Sequence, residues 1–260
     1  MTVDESTKHI LTDSRAGILR IQINRPEKRN ALTFAMYQKM ADALIQADQD
    51  DSVRVVLLTG TENCFCSGND LFDFRSIAMG REHLRNPFVP AISGAKKPVV
   101  AAVSGVAIGI GTTMLLHCDL VYAGAKAIFQ LPFVNLGLCP ELGSSVLLPL
   151  LMGHQRAAEL LLLGAPFSAE TAREVGIVNT VCPEEELMTT ALENARKLAA
   201  QPSASVCLTK ALMKRGREAA VTAAIEEESI HFGKRLLSPE AKEAFQAFAE
   251  HRKPDFSRFT

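Results

Sequence analysis

Residues 97–111 read KPVVAAVSGVAIGIG, and they give the clearest local indication of architecture in the chain. The first part, residues 98–103, is continuously apolar and rich in valine, which is typical of a strand buried on both faces of a sheet. Glycines follow, and glycine permits backbone conformations and close approaches that a side chain forbids. An apolar helix is predicted over residues 111–117. The stretch therefore predicts a strand, a tight turn and a helix in direct succession.

Strands and helices alternate on both sides of this stretch. Continuous apolar runs indicate fully buried strands, and alternating apolar and polar residues indicate half-buried ones. Thr33 is a suitable N-cap for a helix that ends near residue 46. This alternation predicts an α/β body over residues 1–200. The predicted strands are residues 18–24, 53–59, 98–103, 119–123 and 127–130.

Helical periodicity dominates the chain after Gly143. We predict a helical C-terminal lobe over residues 201–260, and we expect its apolar faces to form a subunit interface because they exceed what a small lobe needs. The glutamates at 226–228 are interpreted as a solvated helix face, and residues 72–97 as a long loop. The apolar residues of the expected interface are Ala211, Leu212, Ile225, Phe232, Leu236, Phe245 and Phe248. The predicted helices are residues 144–152, 154–163, 169–174, 184–200, 204–215, 218–236 and 239–250.

Composition excludes several broad classes of protein. The chain has 260 residues, of which 47% are hydrophobic, and its formal net charge is −1. Binders of nucleic acid or of membrane surfaces generally need a basic excess, which is absent here. No apolar run reaches the roughly 18–20 residues that span a bilayer, and the N-terminus lacks the layout of a secretory signal. We therefore expect a soluble, cytoplasmic protein that binds neither nucleic acid nor membranes.

The six cysteines form no CxxC pair, and most of them lie in apolar stretches. This distribution is typical of small buried side chains in a reducing compartment. A catalytic thiol would need a basic neighbour, and the spacing of the cysteines does not indicate a metal site.

Two glycine-bearing turns give the first indication of chemistry. They are residues 65–70, FCSGND, and residues 104–111, SGVAIGIG. Two such turns side by side can direct backbone N–H groups at one point, and the second also opens a helix whose dipole favours negative charge. The pair can thus form an oxyanion hole, although a plain strand-to-helix turn explains the second stretch equally well.

Several motifs in the same order resemble the crotonase (enoyl-CoA hydratase/isomerase) superfamily, from about residue 18 to the C-terminus. The resemblance implies a spiral of β-β-α turns, a C-terminal helical trimerisation lobe and an acyl-CoA thioester as ligand. It also implies a homotrimer or a dimer of trimers. The motifs are Asn24-Arg25-Pro26, Asn30-Ala31-Leu32, Cys66-Ser67-Gly68-Asn69-Asp70, Ser104-Gly105-Val106-Ala107-Ile108-Gly109, Cys118-Asp119 and Gly176-Ile177-Val178.

The resemblance assigns roles to individual residues. It implies that Asn69 and Ile110 supply the two N–H groups of an oxyanion hole. Lys28 and Arg29 correspond to residues that meet CoA phosphates, although solvated charges explain them equally well. Asp119, His117 and His154 are interpreted as structural. The residues implied to bind the substrate or its CoA are Lys28, Arg29, Ser67, Gly68, Asp70, Leu71, Gly109 and Lys253.

Carboxylates distinguish the reactions of this superfamily. Its hydratases add water with two glutamates, whose positions here correspond to Thr113 and Phe133, and neither residue can act as a base. Glu141 stands in an apolar stretch that would raise its pKa, although an exposed glutamate at a helix start fits the local sequence equally well. Residues 140–145, PELGSS, resemble the Δ3,Δ2-enoyl-CoA isomerases of the peroxisomal type and their bacterial relatives. There the matching glutamate is the single base.

The resemblance thus implies an isomerase that converts 3-enoyl-CoA to 2-enoyl-CoA through a dienolate, with Glu141 as the base. No metal or redox cofactor is expected, since coenzyme A is part of the substrate. The alternatives are other crotonase-type chemistry, such as weak hydration, hydrolysis or dehalogenation, and a catalytically silent acyl-CoA-binding scaffold.

Overall fold

The computed structural model describes residues 6–70 and 86–259, and their strands form two sheets. The strands are β1 (Ile10–Arg15), β2 (Ile18–Ile23), β3 (Val55–Thr59), β4 (Cys64–Cys66), β5 (Val99–Val103), β6 (Val106–Ile108), β7 (Leu120–Gly124), β8 (Ile128–Gln130), β9 (Phe167–Ser168) and β10 (Thr180–Cys182). The first sheet has the order β1-β2-β3-β5-β7-β10, and the second has the order β4-β6-β8-β9. Only β1–β2 and β8–β9 pair antiparallel among these strands.

The chain winds alternately through the two sheets. Each of the strands β3, β5 and β7 in the first sheet is followed along the chain by a strand of the second sheet, namely β4, β6 or β8. This alternation confirms the spiral of β-β-α turns that the resemblance implies.

Helices cover the sheets and form the C-terminal part of the chain. In the described residues they are α1 (Ser6–His9), α2 (Phe34–Gln49), α3 (Phe88–Gly94), α4 (Ile110–Thr113), α5 (Ser144–Met152), α6 (His154–Leu163), α7 (Ala169–Glu174), α8 (Leu187–Ala200), α9 (Ser203–Arg215), α10 (Glu218–Leu236) and α11 (Pro239–Ala249). None of these helices is both long enough and apolar enough to cross a membrane.

The continuous apolar runs of β3 and β5 are explained by burial on both faces. Val56 and Leu58 point into the larger core, to which α2 also contributes. Val55 and Leu57 point into a second core, which α8 closes with Leu187, Ala191 and Ala195. Successive side chains of a strand point to opposite faces, so a strand covered on both faces needs apolar residues throughout.

Several short elements differ from the sequence prediction. The strands β1, β4, β6, β9 and β10 were not predicted, because each is short or carries few apolar residues. The helix expected over residues 111–117 begins at Ile110 and continues as a 3-10 helix over Met114–His117. The prediction of a loop over residues 72–97 is wrong near its C-terminal end, where α3 forms. Residues 71–85 lie outside the described residues.

The apolar residues of the C-terminal helices fall into two groups. Phe232 and Leu236 are buried in the chain's own core, so the expectation that they form a subunit interface is wrong. Ile225 and Phe245 pack against that core as partly buried residues. The exposed group includes Leu212 and Phe248, whose exposed fractions are 58% and 62%, together with Ala211. The boundary at residue 200 stays a prediction.

Candidate active site

The two glycine-bearing turns lie side by side because β4 and β6 are parallel neighbours, with Cys66 opposite Ala107. The carboxyl ends of parallel strands meet at the same edge of a sheet. A Cβ atom on Gly68 would lie 3.2 Å from the carbonyl oxygen of Ile108, and one on Gly111 would lie 2.5 Å from that of Cys66. A side chain at Gly111 would clash with this carbonyl oxygen, and the positive φ of Gly68 also favours glycine, so the glycines allow the two turns to pack closely.

Each turn leaves a backbone N–H group available. Gly68 and Gly109 have φ angles of +102° and +56°, and the residues that follow them are Asn69 and Ile110. Within the described residues, neither the Asn69 nor the Ile110 N–H donates a hydrogen bond to the backbone. Asn69 and Ile110 also line the same cavity. The structure thus brings together the two residues predicted to form an oxyanion hole.

Residues from the start of the chain fix the first turn. Asn30 donates from Nδ2 to the Cys64 carbonyl oxygen at 2.6 Å, and the Tyr37 hydroxyl donates to Oδ1 of Asn69 at 2.5 Å. The Arg25 guanidinium forms a partly buried ion pair with Asp70 at 2.6 Å. Arg25 and Asn30 belong to motifs of the family resemblance, which assigns no role to either residue.

The predicted CoA-binding residues divide by position. Ser67 is held beside Lys28 and Arg29, because its N–H donates to the Arg29 carbonyl oxygen at 3.1 Å and its hydroxyl to that of Lys28 at 3.4 Å. The side chains of Lys28 and Arg29 are exposed. The carboxylate of Asp70 forms an ion pair with Arg25, which anchors the turn, so the role of Asp70 in binding CoA stays a prediction.

Two further predicted residues lie away from this cluster. Lys253 is exposed beyond the end of α11 and does not line the cavity that Asn69 and Ile110 share. Leu71 lies outside the described residues, and so does Asp73, which the sequence leaves as either a solvated or an acyl-facing acid.

The cavity at the two turns encloses about 70 Å³ between the sheet edge, α2, α3 and α10. Apart from Glu141, its described lining is neutral, and most of it is apolar or aromatic. The lining residues are Phe34, Tyr37, Asn69, Asn86, Val89, Ile110, Glu141, Leu142, Ile225, Ser229 and Phe232. Glu141 is therefore the only acidic residue in the described lining.

Burial raises the pKa of Glu141 to about 8, because the surrounding protein disfavours the carboxylate. The hydroxyl of Thr113 donates a hydrogen bond to this carboxylate and opposes the rise, whereas the negative charge of Glu228 adds to it. Part of Glu141 stays accessible, and this residue lines the cavity. The interpretation of Glu141 as an exposed glutamate at a helix start is therefore wrong.

The two positions that are predicted to correspond to hydratase glutamates are buried. Thr113 has no exposed surface, and Phe133 is 4% exposed. The Thr113 hydroxyl donates a hydrogen bond to Glu141, so this position supplies a neutral donor and no second acid.

The backbone after Glu141 adopts an unusual conformation. Leu142 has a φ angle of +59°, followed by +71° at Gly143. A left-handed conformation is uncommon for leucine, and such strain occurs frequently at functional sites. The Leu142 carbonyl oxygen accepts a hydrogen bond at 2.9 Å from Nε2 of His117, whose pKa burial lowers to about 4. His117 is thus neutral and structural, as predicted.

Asp119 also has the structural role that the sequence predicts. Its Oδ2 accepts a hydrogen bond from the Val99 N–H at 2.8 Å and forms an ion pair with Nζ of Lys210 at 2.7 Å. The carboxylate therefore joins β5 to α9 at a distance from the cavity.

Cys66 lies close to the site but is chemically inert. Burial raises the pKa of its thiol to about 12, so the reactive thiolate is not populated at neutral pH. Burial similarly raises the pKa of Cys64 to about 11. The interpretation of the cysteines as buried side chains holds for Cys64, Cys66 and Cys182, whereas Cys118, Cys139 and Cys207 are partly buried. Among the described residues no group of His, Cys, Asp and Glu could hold a metal ion.

Comparison with known proteins identifies the family. The profile of the enoyl-CoA hydratase/isomerase family matches residues 13–258. The chain belongs to this family. It is 38% identical to enoyl-CoA delta isomerase 2 of Rattus norvegicus over 257 residues, which are 96% of this chain and 65% of the rat protein. It is 35% identical to the 1,2-epoxyphenylacetyl-CoA isomerase of Escherichia coli K12 over 256 residues, covering 95% and 98% of the two chains.

The fold of a solved relative agrees with this assignment. The enoyl-CoA hydratase/isomerase of Pseudoalteromonas atlantica superposes with a TM-score of 0.91 at 39% identity, covering 96% of this chain and all of the other. These results confirm the crotonase resemblance and its acyl-CoA chemistry in general terms. They do not separate isomerases from hydratases, because the family profile covers both activities. The mitochondrial enoyl-CoA hydratase of Pongo abelii is also similar, with 30% identity over 239 residues that cover 91% of this chain and 82% of the other.

Proposed function

We propose that this enzyme shifts the double bond of a 3-enoyl-CoA to the 2-position, with Glu141 as the single acid-base group. One observation carries the proposal: Glu141 lines the same cavity as Asn69 and Ile110. A base and two N–H donors around one cavity are what enolate formation from a thioester requires.

The first step is removal of a proton from C2 of the substrate. This proton is acidified by the thioester carbonyl and by the adjacent double bond. The Glu141 carboxylate takes it, and the electron pair delocalises onto the thioester oxygen as a dienolate. The N–H groups of Asn69 and Ile110 stabilise that oxygen, and each donor of this kind contributes about 3 kcal/mol.

The second step returns the same proton to C4. Glu141 is then a neutral acid. Because its pKa lies near neutral pH, it can first accept the proton and then release it to C4. The double bond moves into conjugation with the carbonyl, and Glu141 is again a carboxylate. No oxidation occurs and no other reactant is consumed, so one carboxyl group suffices.

The coenzyme A portion would bind along the two glycine-bearing turns. We assign its recognition to Gly68, Gly109, Asp70 and Leu71, together with the cluster of Lys28, Arg29 and Ser67, whose two basic side chains suit phosphate groups. Lys253 is assigned to the same ligand in an oligomer, where a neighbouring chain can present it. We also propose that the enzyme is a homotrimer or a dimer of trimers.

Two substrates distinguish isomerisation from hydration. We expect the protein to convert 3-hexenoyl-CoA to the conjugated 2-enoyl thioester, seen as rising enoyl absorbance. Crotonyl-CoA should be hydrated far more slowly, because Thr113 and Phe133 provide no carboxylate. Hydration at a comparable rate would contradict the single-base mechanism. Binding of acyl-CoA without any movement of the double bond would favour the silent scaffold.

A further inference from the structure

Glu228 is the buried member of a run of three glutamates on α10. Glu226 and Glu227 are exposed, whereas Glu228 is only 7% exposed. The interpretation of this run as a solvated face is therefore wrong for Glu228. A buried carboxylate is costly unless its oxygens are hydrogen-bonded, so its partners indicate its role.

Both oxygens of Glu228 bind the backbone just after Glu141. Oε2 accepts a hydrogen bond from the Gly143 N–H at 2.6 Å, and Oε1 accepts one from the Ser145 N–H at 2.8 Å. The Gly143 N–H lies at the N-cap of α5 and the Ser145 N–H in its first turn; α5 is a helix of nine residues. A carboxylate from a distant helix thus caps α5, although the two segments lie more than 80 residues apart in sequence.

The turn that Glu228 holds would not persist on local preference alone. It contains two successive residues with positive φ, and one of them is Leu142. Such a conformation requires the surrounding structure to fix it. His117 binds the Leu142 carbonyl oxygen from one side, and Glu228 binds the two N–H groups from the other. Glu141 directly precedes the residues that these hydrogen bonds hold in place.

We propose that Glu228 is a positioning residue for Glu141: its carboxylate holds the turn that follows Glu141 and places a second negative charge beside the base. The inference rests on the proposed function of Glu141, and it adds a residue that controls both the geometry and the proton affinity of that base.

The charge of Glu228 acts in the same direction as burial. Both disfavour a carboxylate at position 141 and raise its pKa, which makes Glu141 a stronger base once it is deprotonated. Several groups surround this pair. Thr113 on α4 binds Glu141, and Tyr37 on α2 lines the cavity with it. Cys66 on β4 lies within the field of Glu141, and Cys139 on the preceding turn lies within the fields of Glu141, Glu228 and Arg235. The exposed side chains of Glu227 and His231 line a surface pocket together with Glu228.

Two substitutions at position 228 separate charge from geometry. Glu228→Gln keeps the length of the side chain but removes its charge, and its amide can accept from only one of the two N–H groups because its NH2 group is a donor. Glu228→Asp keeps the charge but shortens the side chain by one methylene, which moves the carboxylate away from the N–H groups of Gly143 and Ser145. Glu226→Gln is the matched control, because it makes the same chemical change two residues away on the exposed surface of α10.

The test is an infrared titration of the protonated Glu141 carboxyl group, assigned by the loss of its band in Glu141→Gln. This readout needs no turnover, so it stays informative if the isomerase proposal fails. Glu228→Gln should move the midpoint to lower pH, whereas Glu226→Gln should titrate like the wild type. A midpoint of Glu228→Gln equal to that of the wild type would overturn the inference.

The kinetic part uses 3-hexenoyl-CoA. In Glu228→Gln the acid limb of the plot of kcat/KM against pH should move to lower pH, by the same amount as the infrared midpoint. A purely structural role of Glu228 would instead lower kcat/KM at every pH and leave the acid limb at its wild-type position. Glu228→Asp should lose at least tenfold in kcat while its midpoint stays near the wild-type value. If Glu228→Gln does not fold, Glu228→Asp decides the question, and wild-type kcat in that variant would overturn the proposal.

Discussion

The hydroxyl of Thr113 donates a hydrogen bond to Oε1 of Glu141. Thr113 is fully buried at the end of α4, so no water can replace its hydroxyl without rearrangement. A position that is predicted to correspond to a hydratase glutamate therefore serves here to stabilise the charged form of another carboxylate. This arrangement favours chemistry with one base.

Thr113→Val should weaken the enzyme most at low pH. Loss of the donor raises the pKa of Glu141 above its present value of about 8, because the carboxylate loses a stabilising bond. Hydrogen bonds to charged groups contribute about 1.5–3 kcal/mol, so kcat/KM at neutral pH should fall about tenfold or more. The acid limb of the pH profile should move to higher pH. Thr113→Ser keeps the hydroxyl and is the control, and an unmoved limb in Thr113→Val would contradict this role.

Glu141 should make the folded protein less stable as the pH rises. Its pKa is raised from 4.5 to about 8 on folding, so the folded chain binds more protons than the unfolded chain between these values. The associated stability is complete below about pH 4.5 and is lost as the pH rises through about 8. A shift of this size corresponds to at most about 5 kcal/mol. Glu141→Gln cannot ionise, so its Tm should exceed that of the wild type increasingly from about pH 5 to about pH 8. A difference in Tm that does not vary with pH would contradict the raised pKa.

Gly109→Ala should impair the oxyanion hole without a steric clash. A Cβ atom at Gly109 would meet nothing within 4 Å, but its φ angle is +56°, which alanine rarely adopts. The backbone should relax and turn the Ile110 N–H away, and loss of one such donor costs about 10²–10³ in kcat. Gly216→Ala is the matched control, because that position is also open and has a φ angle of −67°. Equal activity of the two variants would show that Ile110 is not a donor.

The exposed apolar face of α9 predicts an oligomer. Leu208 and Leu212 are 60% and 58% exposed, and their spacing of four residues places them side by side on the helix surface. Met213, which is 67% exposed, adds apolar surface on an adjacent face of the same helix. Light scattering should give a mass of about three or six times the 28.2 kDa of one chain. Leu212→Glu should reduce it, whereas Ile45→Glu on α2, where Ile45 is 49% exposed, should not. A monomeric wild type would contradict the assembly.

Local sequence pattern was sufficient for the elements whose cause is local. The buried strands β3 and β5 are apolar runs, and Thr33 caps α2 through a bond from the Met36 N–H to its own side chain, as expected. The short strands β4 and β6 have three residues each, too few to show a period. Their pairing places the two turns together, and only the motif order of the family indicated it.

Contacts between segments that are distant in sequence could not be predicted from local sequence patterns. The ion pair of Arg25 with Asp70 joins residues 45 apart, and no local pattern predicts that pairing. Glu228 is a different case, because it lies four residues from both Ala224 and Phe232 on α10. These two residues belong to the buried face of the helix. Helical spacing alone could therefore have indicated that Glu228 is buried. The interpretation of the three glutamates as one charged run did not take this spacing into account.

The most direct test of the single-base mechanism is the activity of Glu141→Gln on 3-hexenoyl-CoA, with binding of the CoA ester measured in the same preparation. Glutamine keeps the size of the side chain and a group that can accept the Thr113 hydrogen bond, but it cannot take the C2 proton. We predict that the variant binds the ester with a Kd close to that of the wild type and produces no rise in conjugated-enoyl absorbance. Turnover at the wild-type rate would contradict the assignment of Glu141 as the base.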